Sequence, residues 1–205
     1  MITWETVRHQ VCIAGTVTDA QTGRAIRGAL VSLANGPAAF TGWLTRHALQ
    51  YAGAWDEMAE RPDRTLTARD GHFHFLDLPN GSYTLAVSLP DEGSRYGTAG
   101  TTIKVSRNTQ GGVTTPPVSM TLPPTTLKGR ITGRNNAPVI LAEVRVQGSG
   151  EHAYSGAEGR YVVTGLEAGS RTVLVSAQGY QQTSRTVTLA QGQVAQGVDF
   201  ALVSA

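Results

Sequence analysis

The sequence predicts an all-β chain built as two tandem β-sandwiches. Three observations point there: a glycine-rich, charge-poor composition, one strand-and-turn segment that occurs twice, and further matched strands around each occurrence. Asp70 to Val87 reads DGHFHFLDLPNGSYTLAV, and Glu158 to Val175 follows the same grammar as EGRYVVTGLEAGSRTVLV. At 205 residues the chain is long enough for two small domains, each with a usable core.

The repeated segment reads as a hairpin. Phe73 and Phe75 alternate with His72 and His74, so the two Phe face the core and the two His face away. Tyr161 and Val163 hold the Phe positions in the second copy, and Arg160 and Val162 hold the His positions. Asp70-Gly71 and Glu158-Gly159 supply the tight turn before the strand, where glycine accepts a positive φ. Leu78 and Leu166 plug the core, Gly81 and Gly169 turn the chain, and Leu85/Val87 and Val173/Val175 form the returning strand.

Other elements match in the same order. Residues 13–18, IAGTVT, correspond to 127–132, LKGRIT, and residues 29–33, ALVSL, to 142–146, AEVRV. Each copy closes on a similar strand, VSMTL at 118–122 and VDFAL at 198–202. About seven short strands per copy fit a Greek-key sandwich. Four elements in one order make an internal duplication, though two copies are too few for a solenoid.

Residues Gly15, Val17, Asp19, Thr22-Gly23, Ile26, Gly28-Ala29 and Val31, followed by D-G-x-F-x-F-x-x-L-P-x-G-x-Y-x-L-x-V from Asp70, resemble the carboxypeptidase regulatory-like domain. The second copy resembles it too, adding Ala177-Gln178-Gly179-Tyr180, but it replaces the D-x-x-T-G turn with Gly133-Arg134-Asn135-Asn136 and carries Arg171 in place of Tyr83. The resemblance implies immunoglobulin-like, transthyretin-like sandwiches over 9–122 and 127–203, and the accessory domain of a peptidase without its enzyme. Pro116-Pro117 and Pro123-Pro124 predict a short, stiff junction.

Composition narrows the function. A net charge of +2 with scattered Lys and Arg argues against nucleic acid. No run of eighteen apolar residues predicts membrane insertion, and MITWETVRHQ lacks the basic and apolar regions of a signal peptide. The expected location is the cytoplasm, or a particle assembled there and released. Cys12 is the single cysteine and reads as a strand residue with no basic neighbour.

Catalytic patterns are missing. The five histidines show neither H-x-x-E nor H-E-x-x-H spacing, no serine sits in G-x-S-x-G, and no phosphate-binding loop occurs. His72 and His74, with Asp70, form the one conceivable metal pair, but a solvated strand face accounts for them. Lys104 and Lys128, the only lysines, lie in no isopeptide-forming context. The reading is a non-enzyme with no catalytic, cofactor-binding or metal residues and no cofactor.

One segment has no counterpart. Residues 35–64, NGPAAFTGWLTRHALQYAGAWDEMAERPDR, stand where the second copy has a short turn. Phe40, Leu44, His47, Ala48, Tyr51, Trp55 and Met58 recur at helical spacing, predicting an amphipathic helical insertion over about 36–63, capped at Thr41, weakened at Gly42 and broken near Gly53. Two readings stand: a lid packed on the sandwich's open edge, or a docking surface made of Phe40, Trp43, Tyr51, Trp55 and Met58. The expected function is a structural or adaptor module holding protein partners, or further copies of itself, in a larger assembly. Resemblance suggests a bacterial phage-tail-like contractile injection particle for that assembly. The alternatives are carbohydrate binding through Trp4, Trp43, Trp55, Tyr96, Tyr154 and Tyr180, or service to a separately encoded peptidase.

Overall fold

A computed structural model describes residues 9–58 and 61–205. The chain forms two compact units. One comprises the described residues up to Pro90 with Thr98–Leu122, and the other comprises Asp91–Gly97 with Pro123–Ala205.

The first unit runs β1 (Val11–Asp19), β2 (Leu30–Asn35), α1 (Ala38–Tyr51), α2 (Ala54–Glu57), β3 (Arg64–Leu66), β4 (His72–Leu76), β5 (Gly81–Ser88), β6 (Ala99–Val105) and β7 (Val118–Leu122). One sheet has the order β4-β1-β7 and the other β3-β2-β5-β6. β1 pairs antiparallel with β4 and parallel with β7. The second unit repeats this with β8 (Thr126–Thr132), β9 (Glu143–Val146), β10 (His152–Tyr154), β11 (Arg160–Thr164), β12 (Gly169–Ser176), β13 (Thr183–Leu189), β14 (Val194–Ala195) and β15 (Phe200–Ala201). Its sheets are β11-β8-β14, with β15 also on β8, and β10-β9-β12-β13. Each unit is therefore a transthyretin-like sandwich, and the first carries the helical insertion.

Strand alternation fills the cores. Phe73 and Phe75 are buried on β4 while His72 and His74 are exposed, and Tyr161 and Val163 repeat the pattern on β11. In β1 the alternation slips once, at a register shift between Val11 and Ile13 that turns Cys12 and Ile13 both inward.

The repeated segment is not a hairpin. Among the described strands β4 pairs with β1 alone, whereas β5 pairs with β2 and β6, so the LPNG connection arches from one sheet to the other. The second copy does the same, with β11 on β8 and β12 between β9 and β13. The physical reason is that both strands of the segment bury large apolar side chains, which meet face to face across the core. Leu78 and Leu166, each 1% exposed, fill the space beneath the arch. Tyr83 donates its hydroxyl to Pro79 O at 2.9 Å, and burial pushes its phenol up to about 12. At the matching place Arg171 donates to Glu167 O at 3.1 Å, so a guanidinium secures the same carbonyl.

Each copy also contains a buried hydroxyl clasp. Thr67 Oγ1 donates to Ile26 O (2.6 Å) and accepts from Ala29 N (2.9 Å), while Ser155 Oγ donates to Val139 O (2.7 Å) and accepts from Ala142 N (2.9 Å).

Gly15 and Gly129 occupy the tightest position. A Cβ on Gly15 would lie 2.2 Å from Val118 O and 2.7 Å from the Phe73 ring, and one on Gly129 would lie 1.9 Å from Val198 O. Leu141 shows the opposite mismatch. It holds φ 59° and is 73% exposed at the position where the first copy has Gly28 at φ 73°. Left-handed backbone costs a branched residue energy that glycine avoids. Gly15→Ala should therefore lower unfolding free energy by about 1–3 kcal/mol, whereas Leu141→Gly should raise it by up to about 1 kcal/mol. Equilibrium urea unfolding measures both.

Candidate functional site

The helical insertion starts earlier than predicted. α1 is preceded by Pro37 at φ −57° and ψ 148°, and Pro37 O accepts from Phe40 N (2.9 Å) and Thr41 N (3.0 Å). Thr41 is not the cap. Its hydroxyl bonds back to Ala38 O at 3.2 Å from inside the first turn, because proline's fixed φ and the two following alanines let the helix begin sooner. The break falls at Ala52, with φ 47°, followed by Gly53 and the short α2.

The apolar stripe turns inward at both ends and outward in the middle. Phe40 is buried and meets Tyr83 edge-on, with ring centroids 5.5 Å apart. Trp43, half-buried, lies 6.1 Å from Phe40 and 4.0 Å from His47. Tyr51 is 51% exposed, Met58 is half-buried, and Trp55 is only 7% exposed. The Arg61 guanidinium covers Trp55 at 4.7 Å, bonds its carbonyl at 3.2 Å, and grips Asp63 through two hydrogen bonds of 2.9 and 2.8 Å. This cation–aromatic and ion-pair arrangement pins the chain where it re-enters the sandwich.

Between the insertion and the end of β4 lies an open groove of about 780 Å³. Its walls are Phe40, Trp43 and Arg46 of α1, then Arg61, Pro62, Arg64 and Thr65, then His74–Pro79, together with His9. β3 and β4 are both edge strands of their sheets, so the groove occupies the open side of the sandwich. Asp77 is engaged there by His9 Nδ1 and by Gln10 N at 2.8 Å. The His9 hydrogen bond, followed by that from Gln10, holds its carboxyl below the ordinary range. Arg64 reaches the carbonyls of Asp56, at 2.8 Å, and Met58. The groove thus presents aromatic walls beside guanidinium groups.

Of the five residues predicted for partner docking, Phe40 and Trp43 line this groove, whereas Tyr51, Trp55 and Met58 do not. Arg46, Arg61, Arg64, His74 and Asp77 were not predicted. Nothing in local sequence distinguishes them from other surface charges, because three separate segments bring them together. Cys12 requires a correction of the same kind: Arg107, 95 positions away, donates to its Sγ at 3.2 Å and to Leu78 O at 2.9 Å, so the thiol does have a basic neighbour. His72 Nδ1 sits 3.1 Å from Asp70 Oδ2, while His74 faces the groove. No group of three or more His, Cys, Asp or Glu suited to a metal forms among the described residues. No helix among them is long and apolar enough to cross a membrane. Of the aromatics considered for sugar binding, Tyr154 is 56% exposed beside His152, Tyr180 is half-buried, and Trp4 lies outside the described residues.

The two sandwiches share one topology, and sequence comparison gives both the same relatives: the family model of the carboxypeptidase regulatory-like domain matches residues 12–116 and again 126–203. The chain belongs to that family. Among solved structures, it is similar to the shaft pilin of Lactobacillus rhamnosus GG, with 11% identity over 97% of this chain and 98% of that one and a TM-score of 0.42. It is also similar to the minor pilin of Streptococcus agalactiae, at 14% identity over 94% and 96% with a TM-score of 0.34. A type II cohesin–X-dockerin complex from Acetivibrio cellulolyticus matches at 15% identity and a TM-score of 0.32, over 39% of this chain and 58% of that chain, less than two thirds of its length. No curated protein matches the chain in sequence. The groove is built on the regulatory-like domain's first copy by an element its second copy lacks.

Burial separates the two tryptophans of the insertion. Trp55→Ala should cost about 3–5 kcal/mol in chemical unfolding, and Trp43→Ala less than half as much. Equal losses would contradict this division.

Proposed function

We propose that the chain is a non-catalytic structural module that mediates protein–protein interaction within a larger assembly, with the groove of its first domain as a docking surface. The observation that carries this reading is the insertion itself: it anchors through Phe40 and Trp55 yet leaves an open, aromatic-walled groove on the side of the sandwich where both sheets end. Aromatic and arginine side chains in a concave surface are the types that dominate protein interfaces. Family membership supports it, because a regulatory-like domain is an accessory to other proteins.

A phage-tail-like contractile injection particle is the finer reading of the assembly and rests on family resemblance. Service to a separately encoded peptidase is its counterpart. Carbohydrate binding is a second reading, favoured by the half-buried Trp43 in a groove with polar neighbours. Gentle purification from the native cell followed by native mass spectrometry tests the main reading. A stoichiometric complex with other proteins is expected. A lone monomer that instead binds glycans on an array would replace it with the second reading.

A further inference from the structure

The groove's position and its unbalanced charge specify a partner chemistry. β4 ends the order β4-β1-β7, and no described strand pairs with its outer edge. Such an edge is a template for an added strand. The groove runs along His74–Pro79, the second half of that edge and the arch that follows, and α1 overhangs it without closing it. A volume of about 780 Å³ falls within the range of ligand sites. An occupant lying against β4 is therefore extended.

Charge fixes what its side chains carry. Asp77, the one carboxylate of the lining, is matched by His9, and Arg61 is matched by Asp63. Arg46 has no ion-pair partner among the described residues, and Arg64 has only carbonyl acceptors, its Nε being buried without any. Asp56 approaches Arg61 at 3.6 Å and lies outside the lining. Among the described residues, two guanidinium groups thus remain without a carboxylate. Phe40, Trp43 and Leu76, the last 42% exposed, supply apolar wall in the same groove. Successive side chains of a strand point to opposite sides, so apolar and acidic groups arrive in alternation.

We propose that the groove receives an extended segment of a partner protein, alternating apolar with acidic residues, that adds to the free edge of β4 and places its carboxylates on Arg46 and Arg64. The proposal rests on the docking reading above and names the partner's chemistry.

The test uses the full chain with two fluorescein-labelled eight-residue peptides, one alternating Val with Glu and its twin with Lys replacing each Glu. The Glu peptide is expected to bind, the Lys twin at least about tenfold more weakly, with affinity falling as salt rises. Arg46→Glu should weaken the Glu peptide by about tenfold or more while leaving the melting temperature unchanged, since Arg46 is exposed and has no ion pair among the described residues. Hydrogen exchange should slow at residues 73–77 on binding. Equal binding of the twins, no binding, or protection elsewhere would overturn the proposal. So would dimers of the chain alone that protect 73–77, because a second copy would then be the occupant. A native complex that survives both Arg46→Glu and Trp43→Ala would keep the docking reading while removing the groove as its site.

Discussion

The structure depends on a place where no side chain fits. At Gly15 and at Gly129, the carbonyl of the closing strand comes within 2.2 and 1.9 Å of the position a Cβ would take. That approach lets β7 and β15 pair in parallel with the first strand of each copy and complete its sheet. An aromatic ring then covers the vacant spot, Phe73 in one copy and Tyr161 in the other, and Tyr161 binds the intruding carbonyl of Val198 at 2.5 Å. Sheet closure and aromatic packing are thus one constraint, met twice. The rest of each core, from the buried hydroxyl clasp to the leucine beneath the arch, is arranged around it.

Among its described residues the insertion adds no strand to either sheet, although Asp63 O at its end accepts from Leu33 N of β2 at 2.8 Å. It leaves the first sandwich after β2 and returns at β3, with Phe40 at its start and Trp55 under Arg61 at its end as anchors. Trp43 and Arg46 between them face open space. A segment that served only to cover the edge would bury its middle as well as its ends. Exposure of large apolar groups recurs at Ile140 and Leu141, where the second copy also strains its backbone, and each is a surface that the other copy does not share.

The duplication, the alternation of Phe73 and Phe75 with His72 and His74, and the helix broken near Gly53 were legible because each is a local period. The arch was not. Asn80-Gly81 has the composition of a hairpin turn, and only the partners of β4 and β5, far off in sequence, decide that the chain changes sheets. The clasp did leave a trace, since Thr67 and Ser155 each stand four residues ahead of a turn glycine, but a lone hydroxyl before a turn has many explanations. Thr41 was read as a cap because its type suits one, and Pro37 won by geometry. The groove was invisible, for it is made from four separate stretches of chain and its charges meet only in space.

The most direct test is to replace residues 34–63 with the 147–151 turn that joins β9 to β10 at the same place in the second copy. A module whose insertion exists for docking predicts a variant with intact β-sheet circular dichroism, one cooperative melt and no association with its partners. Collapse of the first sandwich, or association undiminished, would contradict it.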